Sequence, residues 1–110
     1  MEERRQHPRM NVSLPALVRG VRQNWKVRTL DLSQGGALLD SPRPIKPGAF
    51  LELLFDFHQS KPVPLFARVL RSKPAFWGRR HALAVKFDTL KPEITKAAEA
   101  IWQNQRAAAV

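Results

Sequence analysis

Apolar side chains recur at every second position through most of this chain. Val12, Leu14, Ala16 and Val18 alternate with Ser13, Pro15, Leu17 and Arg19, so residues 12–18 predict a strand with one apolar face. Pro15 has no amide hydrogen and places that strand at an edge or a bulge. Residues 20–24 read as a turn, and residues 25–32 as a second strand. A short strand over 37–40 comes next. Residues 41–48 hold three prolines and a glycine, which exclude regular structure and predict a loop. Residues 50–57 carry the strongest alternation, with Leu51, Leu53, Phe55 and Phe57 on one face and Glu52 and Asp56 on the other. A turn over 58–64 contains two prolines. Leu65, Ala67 and Val69 mark a fifth strand. Residues 73–80 read as a basic loop bearing Phe76, Trp77 and Gly78, and Leu83, Val85 and Phe87 mark the last strand.

The period then changes. From Lys91, Ile94, Ala97, Ala98, Ile101 and Gln105 follow helical spacing, with Pro92 suited to a first helical position. The pattern predicts an all-β dominated fold: a six-stranded antiparallel β-barrel, residues 12–90, with a C-terminal α-helix, residues 91–108, across one opening. Residues 1–11 form an arm ahead of it; the first ten are polar, contain Pro8, and read as a flexible tail. With 110 residues and no internal repeat, this is one domain.

Composition narrows the function. Nineteen Lys and Arg against nine Asp and Glu leave a net charge of +10, which attracts polyanions: nucleotide, nucleic acid, anionic lipid or an acidic protein. There is no cysteine, hence no disulfide and no thiolate metal site. No apolar run approaches the ~18 residues of a membrane span. Residues 1–9 contain no signal-peptide core, so the expected location is the cytoplasm. Enzymatic chemistry finds little support. His7, His58 and His81 stand apart, without metal-ligand spacing. Ser33 has no local base. The glycine-rich run before residue 37 lacks the Lys-Ser/Thr ending of a phosphate-cradling loop. No catalytic residue, metal or cofactor is expected.

Two stretches carry candidate chemistry. In Asp31-Leu32-Ser33-Gln34-Gly35-Gly36 the residues suit a tight connection between strands, and that alone accounts for most such runs. Yet Asp31 and Ser33 are two apart, which at strand spacing puts a carboxylate and a hydroxyl on one face. A carboxylate accepts two N–H donors from one molecule, as a guanine edge offers. Upstream, Arg4, Arg5 and Arg9 cluster at the entrance to the first strand. A basic tail is usually solvated charge. A guanidinium, however, forks onto guanine O6 and N7 or a phosphate, and its flat face stacks on a purine. A basic barrel also suits single-stranded nucleic acid, with Trp77 beside Arg79 and Arg80 as the stacking group. That reading ranks second, because Phe55, Phe57 and Phe87 fall on the apolar face.

With these residues in view, the sequence resembles the PilZ domain family. Arg5-Gln6-His7-Pro8-Arg9 is similar to the family's Arg-x-x-x-Arg run, and Asp31 through Gly36 to its Asp/Asn-x-Ser-x-x-Gly run. The run Ala67-Arg68-Val69-Leu70-Arg71 resembles the penultimate barrel strand, and Ala84 stands where members often carry glycine. The resemblance implies a receptor for cyclic di-GMP. Arg5 and Arg9 would grip guanine edges and phosphates, and Asp31 would accept the guanine N–H donors. Ser33 would bond guanine or phosphate, while Gly36 clears the backbone turn. Arg4, just before the first motif arginine, favours two stacked ligand molecules, and Arg71 is placed to stack on an exposed guanine. Signalling would pass to an effector protein through ordering of the arm, in motility or biofilm regulation. A subgroup of the family lacks these motifs and acts through protein partners in type IV pilus assembly; the intact motifs argue against it here.

Overall fold

The computed structural model describes residues 9–20, 22–33, 35–55, 62–88, 94, 96–101 and 103. Six strands appear among them: β1 (Pro15–Arg19), β2 (Asn24–Leu32), β3 (Gly36–Ser41), β4 (Phe50–Phe55), β5 (Val63–Ala75) and β6 (Arg80–Phe87). All neighbours pair antiparallel in the order β1-β2-β3-β6-β5-β4, and β4 returns to β1 through pairs from Ala16↔Phe55 to Arg19↔Glu52. The expected antiparallel barrel is therefore present, and it is closed. Closure leaves no unpaired sheet edge along its circumference.

The inward residues are the ones the alternation marks. Val18, Leu39, Leu53, Phe55, Ala67 and Leu83 are wholly buried, and Phe55 meets Phe87 edge to face at 6.3 Å between ring centres. Each large aliphatic or aromatic side chain so enclosed contributes about 1.5–3 kcal/mol relative to exposure. Helical residues between 94 and 103 come after β6; Ile94 and Ala98 enter the same core and Ile101 packs on it. The remaining positions of the expected helix, 91–108, lie outside the described residues.

Several points differ from the sequence reading, and four of them have a physical reason. β1 begins at Pro15 rather than at residue 12. Residues 10–14 keep the buried alternation through Met10, Val12 and Leu14, but they run beside β2 as an irregular segment. Thr29 explains this. Its hydroxyl accepts from Leu14 N–H at 2.8 Å and donates to the Val12 carbonyl, while its own N–H donates to Leu14 O at 2.9 Å. A buried side chain thus satisfies backbone groups that a ladder would otherwise pair. Second, Pro15 is not on an edge strand. It is the first residue of β1, before β4 joins at Ala16, where a missing N–H is tolerated. Third, Met10 exchanges both backbone hydrogen bonds with Leu32 (2.8 and 2.9 Å) and is buried, so the tail expected over residues 1–10 ends in anchored chain. Residues 1–8 lie outside the described residues. Fourth, β5 takes in Val63, Pro64 and residues 73–75, positions that the sequence pattern assigns to turn and loop. β6 supplies the partners of the last three: Lys73↔Ala82, Pro74↔His81 and Ala75↔Arg80. Residues 56 and 57 of the expected fourth strand lie outside the described residues.

Two register shifts complete the barrel. In β2 the pairing with β3 steps from Thr29↔Leu39 to Asp31↔Leu38, leaving Leu30 as the extra residue. In β5 the pairing with β6 steps from Val69↔Val85 to Arg71↔Ala84, leaving Leu70 extra. A bulge reverses the inward–outward parity of the residues beyond it. Val27 and Thr29 point inward, yet Leu32 also reaches the core, and Asp31 stays on the outer wall.

Thr29→Val should keep the shape of the side chain and orphan Leu14 N–H and the Val12 carbonyl. We expect a loss of about 1–3 kcal/mol in urea unfolding, with faster amide exchange at Leu14.

Candidate functional site

The two register shifts bring one row of outward residues into line across four strands: Asp31 on β2, Leu38 on β3, Ala84 on β6 and Arg71 on β5. At ~4.8 Å between strands the row spans about 14 Å along the curved wall. A carboxylate stands at one end and a guanidinium at the other, with two short aliphatic side chains between. The next outward row is Gly36, Lys86, Arg68 and Phe50. Lys86 and Arg68 are exposed, so the wall carries three cations on β5 and β6.

Arg9 reaches this wall from the chain's entrance. Its Nη1 donates to Asp31 Oδ1 at 2.5 Å across 22 positions of sequence. The Met10–Leu32 bridge beside it fixes the backbone. The guanidinium side chain is 35% exposed and the carboxylate 21%, so water screens the pair and its worth is about 1 kcal/mol or less. Such a pair opens at little cost when better partners arrive.

Ser33 sits differently from its expected place. The strand ends at Leu32, and Ser33 is drawn into the β2–β3 connection, where it is 5% exposed. Its N–H donates to Gly36 O at 2.9 Å, and its hydroxyl accepts from Gly35 N–H at 3.3 Å. These bonds close the β2–β3 connection and hold the end of β2, where Asp31 stands. Gly36 also serves another purpose than the expected one. It is paired in β3 beside β6, and a Cβ there would run into the Val85 carbonyl oxygen. Its lack of a side chain permits close approach of two strands rather than an unusual turn. Gly35 O accepts from Phe87 N–H at 2.9 Å and locks the connection to β6.

The structure therefore joins Arg9, Asp31 and Arg71 on one wall, with Ser33 and Gly36 shaping the connection beneath. Arg4 and Arg5 lie outside the described residues. Lys86 and Arg68 were missed by the sequence reading. Both fall on the polar positions of alternating strands, but only the register sets them beside Gly36. Among the described residues no group of His, Asp or Glu is placed to hold a metal ion. No helix among them is long and apolar enough to cross a membrane.

The closed barrel thus carries on one outer wall a cationic patch, an acceptor carboxylate and an arginine delivered from upstream, a set with the chemistry to pair with an anion. The chain belongs to the PilZ domain family, whose model matches residues 3–101. Its fold is shared by solved structures at low sequence identity. The inhibitor of motility MotI/DgrA of Bacillus subtilis has a TM-score of 0.72 at 13% identity over 97% of this chain and 53% of that one. The K. pneumonia MrkH–c-di-GMP complex has 0.70 at 16%, over 98% and 55%. The PilZ domain of YcgR from Escherichia coli, solved with c-di-GMP, has 0.66 at 15%, over 97% and 95%. The chain spans about half the length of the first two and nearly all of the third. No curated protein sequence matches it.

Gly36→Ala should force β3 and β6 apart at Val85. The expected loss is about 1–3 kcal/mol in chemical unfolding, with backbone amide shifts centred on Gly35, Val85 and Phe87.

Proposed function

We propose that this protein is a cytoplasmic receptor for cyclic di-GMP that binds the nucleotide on the β2–β3–β6–β5 wall and performs no chemistry on it. The observation that carries the reading is the Arg9–Asp31 contact. It joins the ends of two motifs 22 residues apart on one face of the barrel. The c-di-GMP complexes of YcgR and MrkH, which share the fold, support the choice of ligand.

Binding exchanges one set of partners for another. Asp31 releases Arg9 and accepts the ring N–H and amino donors of a guanine. Arg9 turns its fork to the guanine acceptors or a phosphate, together with Arg5. The exchange is favourable because the exposed ion pair is worth about 1 kcal/mol or less, whereas each hydrogen bond to a charged group contributes about 1.5–3 kcal/mol. Leu38 and Ala84 offer an aliphatic floor for the purine, Arg71 a flat cation to stack on it, and Lys86 and Arg68 charge for the phosphates. Ser33 acts by holding the connection beneath Asp31. Arg4 extends the cationic arm over a second, stacked ligand. The N-terminal arm folds over the nucleotide, and the covered wall is what an effector protein reads.

Calorimetric titration with cyclic di-GMP at physiological salt tests this. Arg9→Ala and Asp31→Ala should each weaken binding about ten- to a hundredfold. Absence of heat and of amide shifts at tens of micromolar ligand would exclude the proposal. Arg4→Leu should lower the stoichiometry from two ligands to one. Two-to-one binding by that variant would remove Arg4 from the site.

A further inference from the structure

The β5–β6 hairpin ends in a tight turn that carries two adjacent exposed aromatic side chains. Trp77 is fully exposed and Phe76 is 64% exposed. Both have left-handed backbone angles, φ 62° and 51°, and Gly78 comes next at 80°. That region is unfavourable for residues with bulky side chains. The turn is nonetheless closed, by Gly78 N–H to Ala75 O at 3.1 Å and Arg79 N–H to Phe76 O at 3.2 Å. A Cβ built at Gly78 meets nothing within 4 Å, so the tip stands clear of the barrel. Exposed Lys73 and Arg79 flank it, and Arg80 is braced by its ion pair to Asp40 at 2.8 Å.

We propose that this tip is a membrane-docking wedge that inserts Phe76 and Trp77 into the headgroup region of an anionic bilayer. Aromatic rings belong at that boundary, and lysine and arginine beside them pair with anionic headgroups. The net charge of +10 draws the whole chain toward such a surface. Shape favours a bilayer over an oligonucleotide. Single strands are held in grooves where cations track the backbone beside a stacking face. Here the two rings lead and the cations trail behind them on both strands. Asp31's row crosses β6 at Ala84, about 13 Å along the strand from Arg80 at 3.3 Å per residue, and Asp31 itself lies two strands further round the wall. The wall that carries Asp31 therefore stays in water while the tip is docked.

Co-sedimentation with phosphatidylcholine vesicles, with and without phosphatidylglycerol, tests the wedge on the full chain. The protein should bind the mixed vesicles and leave the neutral ones. F76S/W77S, with its charge intact, should lower partitioning about tenfold or more, since only apolar burial is lost. K73E/R79E should do the same through charge, and it keeps the test decisive if the serine pair disturbs the hairpin. Brominated acyl chains should quench tryptophan fluorescence in the native protein and not in W77F. Partitioning of folded F76S/W77S equal to that of the native protein would overturn the wedge, because general electrostatic attraction would then suffice. So would quenching retained in W77F. Failure of the native protein to bind mixed vesicles would also overturn it, and so would loss of single-stranded oligonucleotide binding in F76S/W77S without any vesicle binding.

Discussion

A strand that alternates strictly cannot place Val27, Thr29 and Leu32 inside a barrel while keeping Asp31 outside. The extra residue at Leu30 resolves the conflict. Leu32 is then free to fill the core and to exchange backbone bonds with Met10, and Asp31 is left on the outer wall where Arg9 meets it. Without that bulge the carboxylate would point into an apolar interior, where an unpaired charge is prohibitively costly. The Leu70 bulge does the same for Arg71 on β5. Two single-residue irregularities thus decide which side chains face outward and which face the core.

Closure of the barrel has a second consequence. With every strand paired on both sides, recognition falls to the outer walls, the ends and the connections. The candidate wall uses side chains rather than backbone: one carboxylate, an incoming arginine, and cations on β5 and β6. Its preformed ion pair, Arg9 with Asp31, is partly exposed and screened, so it opens at little cost. The parts that must not move are held by buried groups instead. The Thr29 hydroxyl fixes residues 12–14, the Ser33 and Gly35 bonds fix the β2–β3 connection, and Gly36 lets β3 and β6 close together.

The chain also separates two kinds of exposed surface. The wall bearing Asp31 sets charged side chains around Leu38 and Ala84, with Phe50 at its β4 margin. The hairpin tip is aromatic, strained and surrounded by cations, fit for an interface between water and lipid. The row bearing Asp31 crosses β6 at Ala84, four residues from Arg80 beside the tip, and Asp31 lies two strands further round, so neither use would obstruct the other.

Strand number, the inward set of residues and the two motifs were legible in the sequence, because alternation at period two and helical spacing are local consequences of backbone geometry. Leu51, Leu53 and Phe55 could only face inward, and three prolines in residues 41–48 could only make a loop. Other features were not legible. Asp31 and Ser33, two apart, were expected on one strand face, but β2 ends at Leu32 and Ser33 is buried in the connection that follows. Residues 73–75 lack a strand's apolar alternation, yet they pair because β6 lies beside them. Lys86 and Arg68 gain a place on the wall only when the register puts them next to Gly36. The sequence by itself determined which residues must be buried, since burial depends on the character of each side chain. The tertiary structure decided which exposed residues stand together, because that depends on pairing between distant strands, and a shift of one residue in register sends a side chain to the opposite face.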